Sequence, residues 1–77
     1  MDLRDCITCT FYRLTELIPP ENYRLIDVEL ISVHADRYFY RTEILIGITR
    51  YVVQFYARRN QIGEIIATIP DSVEIAK

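Results

Sequence analysis

Residues 37–59 read RYFYRTEILIGITRYVVQFYARR, and the reading of this stretch decides the fold. Tyr40, Thr42, Ile44, Ile46 and Ile48 form one alternating row, with Phe39, Arg41, Glu43, Leu45 and Gly47 opposite. Beyond Gly47, Tyr51, Val53, Phe55 and Ala57 make a second apolar row against Arg50, Val52, Gln54, Tyr56 and Arg58. Successive side chains of a strand point to opposite faces, so this period of two predicts strands with one face turned to a core. Gly47 to Arg50 is either a tight connection between two strands or a glycine-permitted bend in one long strand.

Upstream, the same period begins at Tyr23, with Ile26, Val28 and Leu30 on one side and Asp27 and Glu29 on the other. Alternation slips at Leu30-Ile31, the signature of a bulge, and His34-Ala35-Asp36-Arg37 has turn composition. Downstream, Arg59-Asn60-Gln61 reads as a hairpin turn leading to a fourth strand over Ile62–Ile69, which Pro70 stops. Residues 71–77 suit a helical turn starting at Asp71 or Ser72.

Residues 3–18 carry a different period. Leu3, Ile7, Phe11, Leu14 and Leu17 recur at spacings of three and four, which predicts a helix capped by Asp2, with Asp5 at its third position. Pro19-Pro20 ends it, because proline lacks a backbone donor and disfavours helix in the preceding residue. The β-branched and aromatic run Ile7-Thr8-Cys9-Thr10-Phe11-Tyr12 leaves a strand as the second reading of this segment. The chain as a whole, 1–77, reads as a single α+β domain: an N-terminal helix packed on a three- to four-stranded antiparallel sheet. A small bent β-barrel with an N-terminal helix is the alternative. That layout is similar to the plan of Sm-like RNA-binding rings, whose turn-glycine patterning this sequence lacks.

Composition bounds the function classes. At 77 residues, 51% apolar and aromatic, with a net charge of -2, the chain is neither a disordered tail nor a strongly charged nucleic-acid wrapper. A domain of this length buries only about 60–65% of the surface of its unfolded chain. Twelve isoleucines, six tyrosines and three phenylalanines exceed what one small core hides, so self-association is expected. A membrane-crossing helix needs about 20 apolar residues. The best stretch, Ile44 to Ala57, is interrupted by Arg50, and the charged start at Asp2, Arg4 and Asp5 is unlike a secretory signal. A cytoplasmic protein with reduced thiols is expected.

The small net charge is a cancellation. Residues 1–36 hold seven acids and three arginines, residues 37–59 five arginines and one acid, and residues 60–77 three acids and one lysine. In the basic segment Arg37, Arg41, Arg50, Arg58 and Arg59 are interleaved with tyrosines such as Tyr56. Arginine with aromatic rings serves protein hot spots, and the same pair stacks on single-stranded nucleic acid. The negative total favours a protein partner, with nucleic acid the alternative. The plain structural reading is the solvated face of a sheet.

Cys6-Ile7-Thr8-Cys9 is a C-x-x-C pair. A redox motif needs a preceding strand, and a tetrahedral zinc needs four ligands, which two copies would supply only by pooling Cys6 and Cys9. The expected state is two reduced thiols one helical turn apart, one buried, without metal or cofactor. Nothing in the spacing assembles the cysteines, His34 and Asp36 into a nucleophile, base and orienter, and glycines at 47 and 63 alone make no phosphate loop. A small non-enzymatic interaction, regulatory or inhibitor protein is the expectation.

Overall fold

In the computed structural model, which describes residues 2–76, Asp2 opens the first helix, α1 (Leu3–Thr15). Its carboxylate accepts from the Asp5 backbone amide at 2.8 Å, meeting one of the donors that a helix start leaves unpaired. The helix ends at Thr15, three residues before the expected end. Glu16 adopts a left-handed conformation (φ 62°) and its amide bonds the Tyr12 carbonyl at 2.7 Å. The Thr15 hydroxyl then donates to Phe11 O and accepts from Leu17 N, which turns the chain before Pro19-Pro20 is reached. Leu17 and Ile18 are consequently exposed.

Four strands follow: β1 (Arg24–His34), β2 (Arg37–Ile46), β3 (Thr49–Arg59) and β4 (Ile65–Ile75). They form an open antiparallel meander in the order β1-β2-β3-β4. The α+β fold expected from the sequence is therefore the fold observed, and the sheet does not close into a barrel. Gly47-Ile48 is a tight connection: Ile46 pairs with Thr49, and Gly47 takes the positive φ (63°) that this turn position requires. Ile48, expected to extend the apolar row, stands fully exposed in that turn.

Register explains the faces. Tyr40 pairs with Phe55, Thr42 with Val53 and Ile44 with Tyr51, and their side chains lie on the side covered by α1. Cys6, Ile7, Thr10 and Phe11 of the helix meet that side, chiefly over β4 and β3. Phe11 meets Tyr51 edge to face at 5.1 Å, and Tyr40 stacks on Phe55 at 5.4 Å. Full burial of side chains such as Phe11, Phe55, Ile7 and Ile44 contributes about 1.5–3 kcal/mol each.

Bulges account for the remaining departures from strict alternation. In β1 the register shifts at Ile26 and again at Ile31. The second is the slip read from the sequence. The first removes Ile26 from the expected row, so that Leu25, Val28, Leu30 and Val33 share the helix-bearing face instead. At this first bulge the Thr42 hydroxyl donates to Asp27 O at 2.6 Å. β4 starts at Ile65 after the turn and runs through Pro70 to Ile75, so the proline does not stop it and residues 71–75 are strand, not helix. Residue 77 lies outside the described residues. Pro70 sits on an edge strand next to the bulge at Asp71, the two settings in which a sheet tolerates a missing donor.

Candidate interaction face

The side of the sheet away from α1 is built by the other half of the alternation, and register sorts it into rows across the strands. One row holds Arg24, Leu45 and Arg50, and the next holds Asp27, Glu43, Val52 and Glu74. Then come Glu29, Arg41, Gln54 and Ser72, followed by Ser32, Phe39, Tyr56 and Ile69. The last row holds His34, Arg37, Arg58 and Ala67. Away from bulges, neighbouring rows lie two residues apart along a strand, about 7 Å. The face is thus banded: a basic row, an acidic row, a mixed row, an aromatic row and a second basic row.

Five of the six residues singled out from the sequence, Arg37, Arg41, Arg50, Tyr56 and Arg58, share this face. Tyr56 lies against Phe39 with ring centroids 5.1 Å apart, His34 meets Phe39 edge on at 5.5 Å, and the Arg37 guanidinium lies 5.7 Å from the Tyr56 ring. Arg58 is tied to Asp36 at 2.9 Å. Arg41 reaches Glu43 at 3.6 Å along its own strand. Among the described residues Arg24, Arg37 and Arg50 make no ion pair. They hold the open charge.

Arg59 is on the opposite side. Its guanidinium donates to Gly63 O at 2.6 Å and to the Tyr40 hydroxyl at 2.9 Å, and lies 5.2 Å from the Tyr38 ring. It clamps the β3–β4 turn onto the core. Period two continued by one residue beyond Arg58 already implies this reversal. Arg24 was missed from sequence because it precedes the basic segment, and strand pairing alone carries it next to Leu45 and, one strand on, Arg50.

The C-x-x-C pair divides as its helical spacing implies. Cys6 is fully buried and accepts from the Thr68 hydroxyl at 3.2 Å, whereas Cys9 is exposed in an apolar groove with Thr8, Tyr12, Ile18 and Pro19. A zinc shared between copies through both thiols would have to open the core. No group of three or more His, Cys, Asp or Glu side chains is placed to hold a metal among the described residues. Cys9 and His34 lie on opposite sides of the sheet, the one on α1 and the other in the last row of the open face. Among the described residues no helix is long and apolar enough to cross a membrane. Comparison of the chain with protein-family models, curated proteins and solved structures finds no match.

Proposed function

We propose that this protein is a small non-enzymatic interaction module that self-associates and captures a protein partner through the banded Arg and aromatic face. The observation that carries the reading is the acidic row of Asp27, Glu43 and Glu74 between the basic rows. A nucleic-acid strand presents an unbroken line of phosphates, and to touch both basic rows it must cross the row that holds Asp27, Glu43 and Glu74. A protein surface can alternate its charges to match. Arg37 and Arg50 supply forked donors for carboxylates, and the Phe39–Tyr56 pair supplies rigid apolar area at low entropic cost.

The test is affinity capture from a nuclease-treated lysate of the source cell, comparing the wild-type chain with an Arg41→Glu/Arg50→Glu variant and with Tyr56→Ala. Capture of a discrete partner that both variants lose, with unchanged circular dichroism, supports the reading. Equal capture by all three chains refutes the face. A wild-type chain that instead binds a labelled single-stranded oligonucleotide, with affinity falling steeply as salt rises, makes it a nucleic-acid binder.

A further inference from the structure

β1 is an open edge, and its outer backbone groups have no partner strand among the described residues. The other edge, β4, is blunted by Pro70 and by α1 packed beside it. β1 has no proline, and both of its bulges place an isoleucine, Ile26 or Ile31, where a protected edge carries lysine or proline. Because α1 sits over β4 and β3, the helix-bearing side of β1 is also left open, with Leu30 50% and Val33 47% exposed. An open edge flanked by an apolar strip is the arrangement that a further strand completes.

We propose that this strand is β1 of a second copy, joined antiparallel about a two-fold axis between Leu30 and Ile31. With the bulged Ile26 and Ile31 left out, three antiparallel registers spanning eight or more residues set no residue of one face against the other face. One, centred on Val28, sets Asp27 against Glu29. Another, centred on Glu29, sets that carboxylate against itself and sets Arg24 against His34. The third sets Val28 opposite Val33, Glu29 opposite Ser32 and Asp27 opposite His34.

Charge selects the third register over a wider area than β1 itself. The acidic row of one copy, Glu74, Glu43 and Asp27, runs directly into His34, Arg37 and Arg58 of the second copy. The register centred on Glu29 would instead run that basic row into the Arg24 and Arg50 row. On the other side of the sheet, Val28, Leu30 and Val33 of both copies form one apolar strip between the two helices. The product is a continuous eight-stranded sheet carrying two interaction faces side by side, which offers a partner two-point attachment.

This deepens the self-association within the proposed function and is tested separately from it, since Arg41, Arg50 and Tyr56 lie on β2 and β3 and not on the β1 edge that the second copy joins. Sedimentation of the whole chain should show a dimer whose dissociation constant rises with salt. Val33→Asp, on the exposed strip, should raise that constant at least ~10-fold while leaving circular dichroism unchanged. In a Cys9→Ser background, Glu29→Cys with Ser32→Cys should form a covalent dimer on oxidation, and Glu29→Cys alone should not. A monomer at several hundred micromolar would overturn the proposal, as would a dimer indifferent to Val33→Asp. Crosslinking by Glu29→Cys alone would overturn the register.

Discussion

Arg58 and Arg59 are sequence neighbours with the same side chain, yet they should differ several-fold in what they contribute to stability. Arg58 is a surface residue. Its side chain is 48% exposed and that of Asp36 is 38% exposed, and an ion pair in water at that exposure is worth about 0–1 kcal/mol. Arg59 forks between Gly63 O and the Tyr40 hydroxyl and lies over Tyr38, and Tyr40 itself is only 6% exposed. Hydrogen bonds from a charged donor contribute about 1.5–3 kcal/mol each when enclosed, and a cation over a ring adds about 0.5–1 kcal/mol. Discounted for partial exposure, the Arg59 set is worth ~2–3 kcal/mol, much of it from the Tyr40 hydroxyl that truncation leaves without its donor. For a domain of this size 1 kcal/mol moves Tm by about 4–8 °C. Arg59→Ala should therefore lower Tm by ~10–20 °C, and Arg58→Ala by under ~8 °C. Arg59→Lys should fall between wild type and Arg59→Ala, because one ammonium keeps the charge without the fork. Urea unfolding followed by circular dichroism supplies the free energies, with the slope of the transition as the control for a changed denatured state. Two alanine variants of equal stability within ~0.5 kcal/mol would refute the assignment of the two arginines to opposite faces.

Two threonines offer a second contrast. Thr10 Oγ1 is buried with no hydrogen-bond partner among the described residues, so Thr10→Val should raise stability by about 1 kcal/mol. Thr42→Val should instead lower it by about 1–2 kcal/mol, because the Asp27 carbonyl at the β1 bulge loses its donor; thermal melts of both variants check the opposite signs. The first position of the β1–β2 turn is Ala35, held at φ 56°, where the β2–β3 turn has Gly47 at φ 63°. Ala35→Gly should therefore stabilise by ~1 kcal/mol, and a lower midpoint in urea would argue against a strained turn. Phe55→Ala removes a side chain that is 1% exposed and should cost about 3–5 kcal/mol, enough to leave a small domain largely unfolded by circular dichroism at 37 °C.

The faces of β2 and β3 were legible because alternation there is unbroken from Phe39 to Leu45 and from Arg50 to Arg58, and period two needs only neighbouring residues to be read. The N-terminus of α1 was legible for the same local reason: Asp2 and Asp5 stand at cap spacing before an apolar row. The end of α1 was not, since Leu14 and Leu17 continue the apolar spacing and nothing in that pattern shows Glu16 turning left-handed. Pro70 was misread because the rule that proline stops a strand holds for a strand paired on both sides. β4 is an edge with a bulge at that point, and edge position is a property of the assembled sheet.

What the sequence determined by itself is whatever depends on short-range geometry: a helix, a meander of strands, two faces of opposite character and a basic middle segment. What only the tertiary structure decided is which distant side chains share a row. Pairing brought Arg24 to the row of Arg50 and lined up Asp27, Glu43 and Glu74 from three strands, turning a run of arginines into a banded surface. The physical reason is that side-chain direction follows from adjacent peptide units, whereas lateral neighbours follow from register. Register is set by turns and bulges acting over the whole sheet.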